Sequence, residues 1–348
     1  MNLRNHYDVT VIVFGKGADL KILKGIKIIT LPFKHAKERR FLMDIETIKV
    51  NVYFLRAILR SRCHVIISKC ATSFGTVFLA AKLTSKKCLL IGANDGDFDG
   101  SVIERDIPSF ARSLFHLSIF LADEVVAQNE NQAALIQRNY GRTSVMIKSY
   151  LNSARQFDNK EDIEKVPFHD GFILWVGRLV QDKRPELIRI LAEKLPNIEF
   201  VIIGPDYSSN DRESRKLIEF SKSHKNLHYV GFVAYNLISK YFRQCRILIN
   251  TSESEGFPNT FLQAWSVGKP VVSLDIDPGG VIKRMELGRV SLSVDQMICD
   301  INNLIDNEVE YSKISCNALK YVNDCHDDSS LTNQYEKVLS YLGVKRND

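Results

Sequence analysis

Short apolar runs rich in β-branched residues alternate with stretches of helical period along most of the chain. In the first half, the runs at 8–14 (DVTVIVF), 27–32 (KIITLP), 64–69 (HVIISK), 87–94 (KCLLIGAN), 124–129 (EVVAQN) and 145–149 (VMIKS) predict strands. The stretches 40–60, 74–83, 108–121 and 130–140 between them predict helices. Strands that are apolar on both faces and separated by helices belong to parallel sheets covered on both sides. At 152–170 (NSARQFDNKEDIEKVPFHD) the pattern becomes polar, charged and aperiodic, which predicts a linker. The alternation then restarts, with strands at 172–177, 199–204, 227–231, 246–251 and 270–275, and the C-terminal residues read as helices ending with 331–342. The expected organisation is a first doubly wound domain at 1–151, the linker at 152–170, a second such domain at 171–330, and a C-terminal helical segment at 331–348 drawn as packing back on the first domain. Ligands of such sheets bind beyond the carboxyl ends of the strands, so function is expected in the loops that follow them.

Composition narrows the class. With 348 residues, 45% hydrophobic and 25% charged, the chain is not a disordered, collagenous or coiled-coil sequence. Apolar stretches such as 113–122 (SLFHLSIFLA) fall short of the about 18 needed to cross a bilayer, so an integral membrane protein is not expected. No basic segment followed by an apolar core opens the chain, and its seven cysteines are irregularly spaced. They read as reduced thiols of a cytoplasmic protein, not as disulfides or a zinc site. The net charge of +6 is uneven: residues 1–150 carry 22 Lys and Arg against 13 Asp and Glu, and the rest 25 against 28, balances of +9 and −3. Such a basic half suits an anionic membrane, a phosphorylated substrate or nucleic acid, or is simply a solvated Lys-rich face.

Three loops of the second half carry candidate chemistry. In GRLVQDK at 177–183, Arg178 and Lys183 straddle an expected helix start, where free N–H groups favour an anion. The pair suits a diphosphate; isolated, such a pair is as often an inconsequential surface charge. Gly204 and Gly231 directly follow strands, as close ligand approach to the backbone requires and as ordinary turns also show. In TSESEGFPNTFLQAWSVGKPVV at 251–272, Gly256 allows a turn, Pro258 and Asn259 suit a helix opening, and Glu255 is left in the turn with Gln263 eight positions on. A carboxylate in such near-apolar surroundings suits a hydroxyl ligand.

These residues resemble the retaining nucleotide-sugar glycosyltransferases of family 4, with the GT-B fold. SESEGFPNTFLQA followed by GKPVV is similar to that family's E-x7-E signature, with Gln263 in place of the second Glu, and GRLVQDK and NLHYVGFV extend the likeness. The resemblance implies an α/β fold of two Rossmann-like doubly wound domains facing a cleft. It also implies that Glu255 contacts donor-sugar hydroxyls, that the Gly256, Phe257, Pro258, Asn259 and Thr260 backbone reaches sugar and phosphate, and that Arg178 and Lys183 neutralise the leaving diphosphate. Gly177 belongs to the same loop, Gly204, Phe232 and Val233 border the base, and Gln263 sits at the ribose, where an amide both accepts and donates. The family's first domain opens with a strand, a Gly-rich loop and a helix ahead of the strand that 8–14 resembles, so the N-terminal domain is expected to lack its first strand and helix.

The function expected from this resemblance is transfer of a hexosyl group from a nucleoside diphosphate sugar to a glycan or lipid-linked acceptor in cell-surface polysaccharide biosynthesis (capsule or lipopolysaccharide). The alternative is an inactive relative that binds a nucleotide sugar or supports a partner. Neither a metal nor another cofactor is expected. Asp95, Asp97 and Asp99 form either an Asp-rich turn or a metal site, and Asn94 and Asp95 are acceptor-side candidates. The basic, apolar-studded segment 34–60 reads either as a helix on an anionic membrane, giving peripheral attachment at the inner face, or as a helix packed on the sheet. A nicotinamide-dependent oxidoreductase would need a G-x-G-x-x-G after a strand, which is missing, and no nucleic-acid-binding motif occurs.

Overall fold

In the computed structural model, the described residues are 3–15, 20–23, 26–32, 40–69, 75–100, 109–149, 165–169, 171–206, 212–326 and 328–347. The chain divides into two units, Met1–Lys148 with Ser329–Asp348, and Ser149–Asp328.

In the first unit, β1 (Thr10–Gly15) pairs in parallel with β3 (Ile26–Pro32), and β3 pairs antiparallel with β2 (Leu20–Leu23). A second sheet runs β4 (Val65–Lys69), β5 (Lys87–Ile91), β6 (Glu124–Ala127) and β7 (Val145–Met146), all parallel. Among the described residues no ladder joins the two sheets. They share a core, in which Ile12 and Ile29 pack with Phe54, Ala57 and Ile58 of α1 (Arg40–Ser61), Phe78 of α2 (Gly75–Leu83), and Phe115 and Ile119. The helices α3 (Gly96–Asp99), α4 (Ser109–Leu121) and α5 (Glu130–Tyr140) complete this part. Residues 33–39, which hold most of the basic run ahead of α1, lie outside the described residues.

The second unit is one six-stranded parallel sheet, ordered β10-β9-β8-β11-β12-β13. Its strands are β8 (Ile173–Val176), β9 (Phe200–Ile203), β10 (Leu227–Gly231), β11 (Ile247–Asn250), β12 (Val271–Ser273) and β13 (Gly288–Val290). Alternate side chains of a strand point to opposite faces, and the core divides accordingly. Ile173, Trp175, Phe200, Ile202, Ile247 and Ile249 pack with Ile188 of α6 (Glu186–Lys194), Leu217 of α7 (Arg212–Ser223), and Met297, Ile301 and Leu304 of α11 (Val294–Asp306). Leu174, Val201, Ile203 and Leu248 pack on the other face with Phe242 of α8 (Ser239–Gln244), Phe261 and Trp265 of α9 (Asn259–Trp265), Ile282 of α10 (Val281–Arg284), and Tyr321 of α12 (Glu308–Cys325). The end of the expected linker belongs to this unit. Val166 is buried in its core and its N–H donates to Gln244 Oε1, because its apolar side chain and that of Phe168 find a surface to cover.

The chain then returns to the first unit through α13 (Asp328–Tyr341), whose Leu339 packs with Leu3 and Tyr7. The six described cysteines are free, and burial pushes the Cys88 and Cys245 thiols up to about 12. Among the described residues, no helix is long and apolar enough to cross a membrane.

Gly204 directly follows β9 at a backbone contact that permits no side chain, since a Cβ there would stand 1.6 Å from the Gly177 carbonyl oxygen. Gly204→Ala is therefore expected to destabilise the second unit by about 1–3 kcal/mol or more. The check is a lowered urea midpoint at unchanged m-value; an unchanged midpoint would refute the contact.

Candidate functional site

The loops of the second unit follow the carboxyl ends of β8 to β12. After β8 the chain passes Gly177 and Arg178, and buried Leu179 anchors it by an N–H bond to Pro205 O (3.2 Å). A 3-10 turn, Gln181–Lys183, follows, Arg184 adopts a left-handed conformation (φ 45°, ψ 53°), and Pro185 opens α6. This corrects the expectation that Arg178 and Lys183 straddle a helix start. The left-handed residue separates the turn from the helix, so α6 begins beyond both cations.

The third loop is bonded to this first one throughout. Thr251, fully buried after β11, donates its hydroxyl to Lys183 O (2.6 Å) and accepts from Trp175 Nε1 (3.1 Å). The Glu253 N–H donates to Asp182 O (2.9 Å). Lys183 Nζ donates to Glu255 Oε1 (2.5 Å), and Ser252 Oγ donates to the same oxygen (2.9 Å). Among the described residues, Glu255 Oε2 receives no donor, which leaves an oriented oxygen able to accept from a ligand hydroxyl. The Lys183 and Glu255 side chains are 14% and 22% exposed, so their attraction is only partly screened by water. Arg178 is exposed, and among the described residues nothing holds its guanidinium.

Pro258 caps α9 in an extended conformation and the helix begins at Asn259, which is exposed, with half-buried Thr260 after it. Gly256 and Phe257 are buried, and the Phe257 ring packs edge-on against Trp265 and beside His326. Gln263 is buried inside α9 and bonds to Tyr235, whose hydroxyl burial raises in pKa and the amide bond lowers. Phe232 beyond β10 is 73% exposed, and Val233 is half-buried against the core. Gly204 N–H donates to Gly231 O (2.9 Å), joining the loops after β9 and β10.

In the first unit, Asn94 and Asp95 follow β5. Asp97 Oδ2 accepts from the N–H groups of Ala93 (2.8 Å) and Asn94 (3.1 Å), and Asn94 Oδ1 accepts from the Asp97 N–H (2.8 Å). Burial raises the Asp97 carboxyl above its usual range, and those N–H bonds oppose the rise. Asp95 takes amide donors on both oxygens, from Asn129 (3.1 Å) and Asn131 (2.6 Å) after β6. Asp97 thus closes its own turn, as the spacing allows, while Asp95 is held from the loop after β6.

Sequence reasoning missed Arg184, Thr251, Ser252, Tyr235 and Asp275, and in the first unit Asn129 and Asn131. The detectable signal for Asn129 was its place just before a helical run, where it caps α5 by accepting from the Gln132 N–H (2.8 Å).

Residues 156–320 match the family model described as glycosyl transferases group 1. An uncharacterized glycosyltransferase of Methanocaldococcus jannaschii is 24% identical over 208 residues, covering 54% of this chain and 50% of that protein. The N,N'-diacetylbacillosaminyl-diphospho-undecaprenol alpha-1,3-N-acetylgalactosaminyltransferase of Campylobacter jejuni is 23% identical over 274 residues, covering 73% of this chain and 69% of that protein. Sucrose-phosphate synthase from Thermosynechococcus elongatus superimposes with a TM-score of 0.77 at 14% identity, over 95% of this chain and 88% of that one. The chain spans about half the length of the curated relatives it matches first. The fold is α/β and GT-B-like.

Proposed function

We propose that the chain is a retaining glycosyltransferase that moves a hexosyl group from a nucleoside diphosphate sugar to a glycan or lipid-linked acceptor in cell-surface polysaccharide synthesis. The observation that carries this reading is Glu255, fixed through one oxygen by Lys183 and Ser252 with the other open, inside the span similar to group 1 glycosyl transferases. Breaking the bond between the sugar's anomeric carbon and the phosphate oxygen leaves its electron pair on the diphosphate. Arg178 and Lys183 supply positive charge in advance of that step, which is the most effective electrostatic lever available. The acceptor oxygen bonds to the same face of the anomeric carbon, and its proton passes to the departing phosphate oxygen, so no protein base is needed. Glu255 holds the sugar hydroxyls, and Gln263 with Tyr235 and Phe232 borders the nucleoside.

The test is incubation with UDP-, GDP- and dTDP-hexoses, with released nucleotide and product anomer followed by NMR. Transfer with retained configuration, unchanged by EDTA, is expected. An inverted product, or abolition by EDTA with rescue by Mg²⁺, overturns the corresponding part. Nucleotide binding without any turnover would instead indicate a binding module.

The acceptor side is assigned to the first unit, at an anionic membrane on its cytoplasmic face. The packing of Phe54, Ala57 and Ile58 leaves Lys49, Val52, Arg56, Leu59 and Arg60 exposed along α1, with exposed Arg62 just beyond, and no acid occurs between 49 and 62. Cations interspersed with exposed Val52 and Leu59 suit anionic headgroups. At about 1 kcal/mol per cation, Arg56→Ala with Arg60→Ala should weaken flotation with phosphatidylglycerol vesicles about 30-fold. Equal flotation of wild type with neutral and anionic vesicles would sink this assignment.

A further inference from the structure

We infer that Arg184 is a positioning residue for sugar transfer: it locks the Glu255 loop to the diphosphate loop. This rests on the glycosyl-transfer reading above. Arg184 follows Lys183 directly, and the two side chains do different work. Lys183 reaches Glu255, whereas Arg184 Nε donates to Thr251 O (2.6 Å) and Nη2 to Ser252 O (3.0 Å) and to the Asp275 carboxylate. β8, β11 and β12 are neighbours in the sheet, so one guanidinium ties together the loops that follow three adjacent strands.

Its partners are backbone carbonyls at the point where the Glu255 loop leaves β11. The Thr251 hydroxyl on Lys183 O and both carbonyls on Arg184 hold the loop in the turn in which Ser252 Oγ meets Glu255. The planar fork with five donors is what makes this possible; an ammonium cannot reproduce it. The position also carries a conformational cost, because left-handed backbone is unfavourable for a residue with a Cβ. Such an outlier beside a reacting centre is a recognised mark of a constraint kept for function.

The left-handed conformation supplies a clean variant. Glycine adopts it freely, so Arg184→Gly removes the guanidinium without straining the turn. Donor turnover by wild type, Arg184→Gly and Arg184→Lys is measured with the UDP-, GDP- and dTDP-hexose panel, alongside calorimetric binding of UDP, GDP and dTDP and thermal melting. The expectation is a fall in kcat of about 100-fold for both variants, the size typical of a small misplacement of a catalytic constellation. Nucleoside diphosphate affinity should stay near that of wild type, because Arg178 and Lys183 remain. Guanidinium chloride at millimolar concentration should restore part of the Arg184→Gly rate while leaving wild type unchanged. A structural role alone predicts no such rescue. Unchanged kcat in Arg184→Gly, wild-type rates in Arg184→Lys, or a loss that guanidinium does not relieve and that tracks the melting temperature overturns the inference with the functional reading intact. Wild type that neither binds nor turns over any of these nucleotides overturns both.

Discussion

Lys183→Ala is expected to lower kcat/KM for the donor by about 10²–10³-fold, the usual loss when one preorganised donor to a developing oxyanion is removed. The same substitution releases Glu255, whose Oε1 loses its shortest bond and keeps only the Ser252 hydroxyl. On the proposed function, its two effects, on the phosphate and on the carboxylate proposed to hold the sugar, fall on one transition state. Glu255→Ala should therefore cost nearly as much, and Lys183→Ala with Glu255→Ala little more than either alone, since residues acting as a unit are strongly non-additive. Arg178, exposed and held by nothing among the described residues, provides the contrast. Its replacement should also lower kcat/KM, but its effect should add to that of Glu255→Ala. Steady-state kinetics of the three single and two double variants decides: additivity of Lys183 and Glu255 would mean their pairing has no part in transfer, and full activity of Glu255→Ala would end the functional reading.

Most of the second unit was legible because β8, β9, β11 and β12 are buried along nearly their whole length and almost continuous in apolar residues. Two strands escaped: β13 has three residues and β2 only four, with Lys21 among them, and both exist through pairing with a neighbour, not through a pattern of their own. Strand ends were also overrun. The run 87–94 continues as apolar and small residues past Ile91, but β5 stops there, and Ala93 and Asn94 give their N–H groups to the Asp97 carboxylate. That exchange of a ladder for a side-chain bond depends on burial of Asp97, which a linear pattern does not record. At the candidate site, loop and residue type both pointed to Lys183 and Glu255, which the structure bonds to each other. Arg184 was not singled out, because two adjacent cations look alike until the left-handed backbone at the second sends it to carbonyls of a loop 67 and 68 positions away.

Trp265→Ala should be the most destabilising single change in the second unit. Trp265 is fully buried, its ring meets Phe257, Phe261 and Tyr321 edge-on, and its Nε1 donates to Leu287 O (3.0 Å). Removing a buried indole costs about 3–5 kcal/mol. For a unit of this size, that corresponds to a Tm lower by roughly 6–20 °C. Trp265→Phe keeps most of the apolar contact and removes one of two donors to the Leu287 carbonyl, which keeps the Val271 N–H (3.3 Å), a loss of about 0.5–1.5 kcal/mol. Trp265 also braces the proposed donor side, because it closes the helix that carries Gln263 and packs against Phe257 in the Glu255 loop. At a temperature where Trp265→Phe is still folded, its donor KM should therefore rise while a calorimetric transition of the first unit stays in place. A variant that loses stability without any change in donor KM would confine Trp265 to the core and separate the packing of this helix from the site it carries.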